Sequence, residues 1–557
     1  MKTYTNPRYP YRRCDEQQGR SRRHPVAIVG AGPVGLALAI DLAQRGIDVV
    51  VLDDDDTVSM GSRAICYAKR SLDILDRLGV GQRIVDKGVR WSVGKVFFGE
   101  ALAYRFDLDP DAGQCRPAFV NLQQYWLEQF LVERAGELPR IDVRWKHRVV
   151  SVDAGDERVL VDVETPDGAY RLECDWLVAC DGARSPVRHM LGLESQGQVF
   201  RDRFLIADIH MQSRFPTERW FWFDPPFHRG QSVLLHRQAD DVWRVDFQLG
   251  WDADPDAERQ PERILPRLRA MLGPDARFDI EWASVYTFQC RRLERFVHGR
   301  VIFAGDSAHV VSPFGARGAN GGLQDADNLA WKLALVVERR APQVLLESYD
   351  RERVQAADEN LRNSTRSTDF ITPKSHGSRV LRDAVLQLAR THAFARKLVN
   401  SGRLSVPAIL EGSTLNTVED EAQFDPCNAQ MRPGAPACDA PVDGPCGSWL
   451  LRHLATSFTL LVFDAPVASE TAETLARASI PCALLRIVPA RDEDPASVVD
   501  TTGRVARQYD ARAGTAILLR PDQHVCARWR RVDVGRIQAA IARATANERT
   551  TETECPR

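Results

Sequence analysis

The sequence predicts an α/β protein built on a Rossmann-like unit, with a strand-rich, antiparallel region within the chain and a small second α/β unit near its C-terminus. Three observations predict it. A glycine turn joins a buried strand to an apolar helix at 26–45, residues alternate with a period of two between about 90 and 300, and short apolar runs recur beyond 457.

Taken in order, residues 1–24 are polar and basic, with Arg8, Arg12, Arg13, Arg20, Arg22 and Arg23, and predict an arm that lies on the surface or is disordered. Val26–Val29 reads as a buried strand, followed by Gly30-Ala31-Gly32-Pro33-Val34-Gly35, a helix to about Arg45 and a second strand Asp48–Leu52. Val159, Val161 and Val163 alternate with polar neighbours, as do Trp243, Val245, Phe247 and Leu249. Trp282, Ser284, Tyr286 and Phe288 share one side of a strand-like run. From about 323 to 400 helical spacing takes over, with Leu323, Ala326, Ala330, Leu333, Ala334 and Val337 on one face. Glu411–Gly447, rich in Pro, Gly, Asp and Cys, reads as a linker. Ser457–Phe463, Ala483–Ile487 and Ala516–Leu519 read as strands, and Val534–Ala544 as a closing helix.

Composition narrows the function. The 557 residues carry 74 Lys+Arg against 76 Asp+Glu and are 44% hydrophobic, a profile of more than one folded domain. A net charge of −2 offers no field for phosphate backbones or anionic lipid, so neither nucleic acid nor membrane is an expected partner. The twelve cysteines are scattered without a C-x-x-C pair, which disfavours zinc ribbons, redox pairs and disulfide frameworks, and no metal site is expected. Reduced thiols predict a cytoplasmic protein. The uncharged run Pro25–Ile40 after Arg22-Arg23 falls short of the ~20 residues that span a bilayer, and no cleavage signal follows it.

Three motifs carry the chemistry. Gly30-x-Gly32-x-x-Gly35 between strand and helix permits a tight turn and lets backbone N–H groups approach a pyrophosphate. Asp53 follows at the end of the next strand, where a carboxylate can accept from a ribose. Asp54–Asp56 read as a solvated loop. The second motif is Asp181-Gly182-Ala183-Arg184-Ser185-Pro186-Val187-Arg188, after an apolar strand. The third is Gly305-Asp306-Ser307-Ala308-His309, running through Ser312-Pro313-Phe314-Gly315-Ala316-Arg317-Gly318-Ala319-Asn320-Gly321-Gly322 into a helix. A carboxylate at a strand end followed by a glycine-rich helix start can bind a polyhydroxyl chain and offer N–H groups to an anionic ring, the two ends of a flavin. No second dinucleotide fingerprint occurs, since Gly79-Val80-Gly81-Gln82-Arg83-Ile84 lacks its last glycine.

In these motifs, their order and their spacing, residues 25–400 resemble the class A flavoprotein monooxygenases, which hydroxylate aromatic rings. The branch with phenol hydroxylases and 3-(3-hydroxyphenyl)propionate hydroxylase is the most similar. The resemblance implies a Rossmann-like FAD-binding fold of the glutathione-reductase-like kind, an inserted antiparallel-sheet substrate domain and a C-terminal thioredoxin-like domain without redox cysteines. The chain then divides into an arm (1–24), an FAD-binding domain in three parts (25–90, 122–190 and, with helices, 296–410) and a substrate domain in two (91–121 and 191–295). A linker (411–447), the thioredoxin-like domain (448–546) and a tail (547–557) complete it. The last domain reads as a packing or dimerisation module, which leaves a homodimer open.

The resemblance also implies roles. Gly30, Gly32 and Gly35 serve the FAD pyrophosphate and Asp53 the ribose, while Arg63 faces the flavin or pyrophosphate side. Gln124 contacts the cofactor, with adjacent Gln123 an alternative. Gly305 and Asp306 hold the ribityl side, and Pro313, Gly318, Ala319 and Asn320 line the isoalloxazine. Asp181 and Arg184 serve FAD and NAD(P)H together. NAD(P)H reduces the flavin, O₂ forms a C4a-hydroperoxyflavin, and an electron-rich phenol attacks it. A phenol with a pKa of about 10 reacts better as phenolate, so a base or relay is expected, with His236, Tyr286 and His228 as candidates. Arg244, Arg291 or Arg292 could pair with a substrate carboxylate, and Trp220-Phe221-Trp222-Phe223 reads equally as pocket wall or core. His309 reads as structural. A halogenase is disfavoured by the absence of a G-W-x-W-x-I-P signature; a flavin-binding sensor or assembly protein without catalysis is the other alternative.

Overall fold

Arg23–Val29 lies between Val49–Asp53 and Gly168–Ala179, parallel to both, because its apolar side chains are buried on both faces of the sheet. The computed structural model describes residues 4–61, 63–109, 113–213, 215–399, 404–419, 424–425 and 431–548. Contacts divide the chain into one unit of 1–111, 116–326 and 357–406, and a second of 112–115, 327–356 and 407–557.

The first unit holds two eight-stranded sheets. One has the order Val297–His298, Val301–Phe303, Gly168–Ala179, Arg23–Val29, Val49–Asp53, Ile141–Trp145, with Val159–Thr165 added antiparallel to Gly168–Ala179 and Arg148–Ala154 antiparallel to Val159–Thr165. Helix Pro33–Gln44 buries Gly35 through Ala43 without a break, as its nearly uncharged sequence requires. The second sheet runs His309–Val310, Asp279–Arg292, Gln196–His210, Val242–Leu249, Ser232–Arg237, Arg219–Phe223, Val93–Phe98, Ala101–Asp107. Its strands pair antiparallel except at one junction, where Arg219–Phe223 runs parallel to Val93–Phe98. The expected antiparallel sheet is therefore mixed. The hairpin 93–107 comes from a separate excursion of the chain, and alternation within a strand carries no information about its neighbour's direction.

The arm takes the first of its two expected forms, lying on the surface, and one further expectation is corrected. In the arm, Tyr4 stacks on Tyr125 and packs on Trp126, Tyr9 stacks on Trp145, and Glu16 is buried between His24 and Arg144. Aromatic and paired charged side chains, diluted among arginines in sequence, anchor it. Much of the expected linker belongs to the second unit. Pro441–Gly444 pairs with that unit's sheet, and Leu415, Met431 and Ala440 are buried in its cores.

The second unit has a seven-stranded sheet. Phe458–Phe463 runs parallel to Cys482–Val488, and Ala516–Leu519 and Val525–Trp529 follow antiparallel. One core face holds Leu460, Val462 and Leu518, and the other Leu461, Phe463 and Ile517. A buried ionic network ties its parts together. Glu352 accepts from Lys332 at 2.7 Å, from Arg520 at 2.6 Å and from Asn328 at 2.7 Å, and Arg520 also pairs with Asp522. Among the described residues no helix is long and apolar enough to cross a membrane, and the ten described cysteines form no disulfide with one another. Cys427, Cys555 and the expected tail from 549 onward lie outside the described residues.

Candidate active site

At the first motif, the three glycines differ in what their missing side chains allow. A Cβ on Gly30, at φ 104°, would lie 2.6 Å from the Cys180 carbonyl oxygen, and one on Gly35 would lie 2.0 Å from the Gly30 oxygen. A Cβ on Gly32 would meet nothing within 4 Å. Gly30 and Gly35 thus close the strand–helix turn, while Gly32 leaves open space beside it, a cradle for a ligand. Asp53 accepts from the Ala31 N–H at 2.6 Å and the Asp55 N–H at 2.9 Å; burial pushes its carboxyl up to about 6 against those two donors.

The second and third motifs are stitched together. Arg188 donates to the Ser307 carbonyl at 2.9 Å and the Ala183 carbonyl at 2.8 Å, and the Ser307 hydroxyl donates to the Ala179 carbonyl at 2.6 Å. Asp181 accepts from the Val187 N–H at 3.0 Å through one oxygen; its other oxygen, Oδ1, is buried with no partner among the described residues. Arg184 is exposed. Asp325 accepts from the Gly305 N–H at 3.0 Å and stands 2.6 Å from His309 Nε2, so His309 holds up the Gly-Asp turn.

Asp306 and Tyr286 are both reached by solvent, Tyr286 at 41% exposure, with protein packed around them. That surrounding raises the carboxyl pKa of Asp306 and pushes the Tyr286 phenol up to about 12, with Asp306 adding to the shift and Arg63 opposing it. Arg63 is exposed, and its carbonyl accepts from Arg244 at 3.2 Å. Gln124 accepts from the Ala64 N–H at 3.0 Å and donates to Glu128 at 2.7 Å, whereas Gln123 donates to the Ala239 carbonyl at 3.0 Å. Of the two glutamines, Gln124 therefore supports the segment carrying Arg63.

Helix Gly318–Val337 starts after a turn in which Gly315, at φ 99°, and Ala316, at φ 54°, are both left-handed. The N–H groups of Gly318, Ala319 and Asn320 lie in its first turn, where no intrahelical acceptor exists. The Asn320 amide is committed elsewhere. It accepts from the Ala68 N–H at 2.8 Å and donates to the carbonyls of Cys66 at 2.8 Å and Ala316 at 2.6 Å, clamping the turn to strand Cys66–Ala68.

The mixed sheet turns one face toward this turn. Phe221 and Phe223 share a core with Phe204, Leu234, Phe288 and Phe314, while Trp222 and partly buried Trp220 pack on the opposite face with Trp243 and Phe247. The aromatic run is thus half wall and half core. Between Phe106, Phe221, Phe314, Gly315, Ile371 and Arg219 lies a narrow cleft. Next to it a charged row crosses the strands. His236 pairs with Arg244 and Arg244 with Asp208 in register, and Arg244 also donates to Asp208 at 3.0 Å. Burial, then Arg219 and Arg244, drive His236 well below its usual pKa, so it is neutral; its Nδ1 lies 4.0 Å from Cys66 Sγ.

The other sequence candidates are engaged away from the cleft. His228 meets the Gln248 carbonyl at 2.7 Å, Arg291 donates to the Ser195 carbonyl at 2.5 Å and Arg292 pairs with Asp358 at 2.6 Å. Sequence reasoning missed Arg219, Asp208 and Asp246. Their signal was present, since Arg219, Phe221 and Phe223 alternate, but which polar residues face them depends on strand pairing.

These residues fit FAD: an open cradle at Gly32, an orphaned carboxylate oxygen at Asp181, an accessible acid at Asp306 and free first-turn N–H groups. Comparison with known proteins agrees. Residues 23–364 match the family described as FAD binding domain. The chain is 34% identical over 342 residues to para-nitrophenol 4-monooxygenase of a Pseudomonas species, covering 59% of this chain and 82% of that one. It is 27% identical over 549 residues to 3-(3-hydroxy-phenyl)propionate/3-hydroxycinnamic acid hydroxylase of Burkholderia cenocepacia, covering 96% and 99%. The crystal structure of the flavin-dependent monooxygenase PieE with FAD and substrate shares the fold, with a TM-score of 0.80 at 21% identity over 95% of this chain and 100% of that one. The chain belongs to the FAD binding domain family, among the class A flavoprotein hydroxylases.

Proposed function

We propose that the cleft on the mixed sheet receives a phenolic ring, which the enzyme hydroxylates with O₂ and NAD(P)H. The chain is an FAD-dependent aromatic monooxygenase. One observation carries the site reading: Phe314 and Gly315 wall the aromatic cleft and belong to the same turn that starts the glycine-rich helix. FAD held there would supply acceptance of electrons from NAD(P)H and activation of O₂, chemistry that no side chain provides.

The chain's own residues bind, orient and insulate. Gly30, Gly32 and Gly35 take the pyrophosphate, Asp53 the adenosine ribose, and Gly305 and Asp306 the ribityl chain. Arg63, Gln124, Asp181 and Arg184 complete the cofactor and nicotinamide contacts. Pro313 and the first-turn N–H groups of Gly318, Ala319 and Asn320 face the isoalloxazine, where the helix N-terminus favours negative charge. Phe106, Phe221 and Phe314 exclude water from the ring. His236, neutral, and Tyr286, protonated at neutral pH, are hydrogen-bonding groups of a proton relay to the substrate.

Within the same reading, the FAD-binding parts and the inserted sheet keep their sequence-derived boundaries, and the second unit's sheet is thioredoxin-like. A parallel pair, an antiparallel hairpin and the closing helix Val534–Ala544 support that topology. Cysteines that form no disulfide among the described residues support a cytoplasmic enzyme, and a homodimer stays open.

Stopped-flow reduction of the FAD-loaded protein by NADH and NADPH, across a panel of phenols with product analysis, tests the reading. The expected result is faster flavin reduction with one class of phenol and an oxygenated product. FAD loading with neither effect would establish a flavin sensor instead. Asp306→Ala should lower FAD retention, and unchanged occupancy would remove its assignment.

A further inference from the structure

Arg219 is 6% exposed, and burial lowers its pKa. Its Nη1 is buried without a hydrogen-bond partner among the described residues. The arginines the sequence offered for a substrate anion are bonded to protein groups away from the cleft lining: Arg244 to Asp208, Arg291 to the Ser195 carbonyl and Arg292 to Asp358. Lys95, at the cleft's rim, is paired with Glu218 at 2.8 Å. Asp246 acts on Arg219 electrostatically, but the two form no ion pair among the described residues, and Asp246 Oδ1 is also unpartnered. A guanidinium so placed is costly unless something else accepts its hydrogen bonds.

The cleft beside it is walled by aromatic side chains. Gly94 pairs with Arg219 on one side and Phe106 on the other, and a Cβ on Gly94 would lie 2.0 Å from the Phe106 ring. That glycine lets Phe106 fold in next to the guanidinium. The cleft is thus apolar along Phe106, Phe221, Phe314 and Ile371, with a guanidinium in its wall whose Nη1 has no hydrogen-bond partner among the described residues.

We propose that Arg219 is a specificity-determining residue of this enzyme, binding an anionic oxygen of the aromatic substrate, either the ring phenolate or a carboxylate on the ring. This rests on the hydroxylase reading above. The planar guanidinium offers paired N–H donors to such an oxygen. Binding the anion supplies the missing acceptor and orients the ring in the cleft between Phe221 and Phe314.

The test uses FAD-loaded wild type, Arg219→Met and Arg219→Lys. Each is titrated with phenols paired with their methyl ethers, and with hydroxyaryl carboxylates paired with their methyl esters, followed by the perturbation of bound-flavin absorbance. Wild type should bind the anionic member of one pairing roughly 10- to 100-fold tighter than its neutral partner, the size of a hydrogen bond to a charged group. Arg219→Met should abolish that ratio and leave the neutral partner's affinity within about twofold, while Arg219→Lys retains part of it. Collapse of the ester ratio identifies a carboxylate, and collapse of the ether ratio a phenolate. An unchanged ratio in Arg219→Met, or equal weakening of charged and neutral ligands at unchanged FAD content and melting temperature, overturns the proposal while leaving the hydroxylase reading intact. If no aromatic ligand perturbs the wild-type flavin, the hydroxylase reading fails first.

Discussion

Arg188 donates through Nη1 to the carbonyl oxygen of Ser307 at 2.9 Å, across 119 residues of chain. With its second bond to Ala183, this buried side chain holds the Asp181 loop against the Gly305 turn, so two motifs remote in sequence form one surface. Arg188→Met removes both bonds and leaves two carbonyls short of a donor. It should cost about 3 kcal/mol of stability in urea unfolding and lower FAD affinity, whereas Arg184→Met, at an exposed position, should leave stability unchanged.

Gly32 and Gly35 should separate folding from cofactor binding. A methyl on Gly35 collides with the Gly30 carbonyl, so Gly35→Ala should lose about 3 kcal/mol or more and FAD with it. A methyl on Gly32 meets only open space in the protein, so Gly32→Ala should melt at the wild-type temperature and bind FAD roughly tenfold or more weakly. Flavin fluorescence on release, with calorimetry of the apoprotein, distinguishes the two.

Asp246 imposes a pH signature. Burial raises its carboxyl from 3.8 to about 6, with Arg244 opposing. The folded state therefore holds a proton that the unfolded chain has released, and the stability this contributes is complete below pH 4 and lost as pH rises through 6. Asp246→Asn lacks that loss. Its stability relative to wild type should improve by up to about 3 kcal/mol between pH 4 and pH 7, read from urea midpoints of the apoprotein. A flat difference would contradict the burial of an ionisable group there.

In the second unit, Glu352 balances Lys332 and Arg520 within a network that also contains Asp522. Burial lowers Lys332 to about 8 even with Glu352 beside it. Glu352→Gln should cost about 3–5 kcal/mol by leaving a buried cation uncompensated, and adding Lys332→Met should recover part of that by restoring neutrality. Urea unfolding of the two variants checks both signs.

The local parts of this protein were legible because each is written in consecutive residues. The glycine turn after Val29, the acid at the end of the next strand and the two Gly/Asp loops need only neighbours along the chain to form, and they determined the family and the cofactor. Alternation along 219–223, 242–249 and 279–288 likewise determined which side chains share a face. A period of two carries neither the pairing order nor the register of strands. Tertiary structure alone therefore decided that Arg219–Phe223 runs parallel to Val93–Phe98, that Gly94 makes room for Phe106, and that His236, Arg244 and Asp208 align beside an aromatic cleft. The substrate arginine depended on the same long-range pairing. Sequence offered Arg244, Arg291 and Arg292 on equal terms with many others, and only the fold reveals that these three are bonded to other protein groups while Arg219 lines the cleft with a buried, unpartnered Nη1.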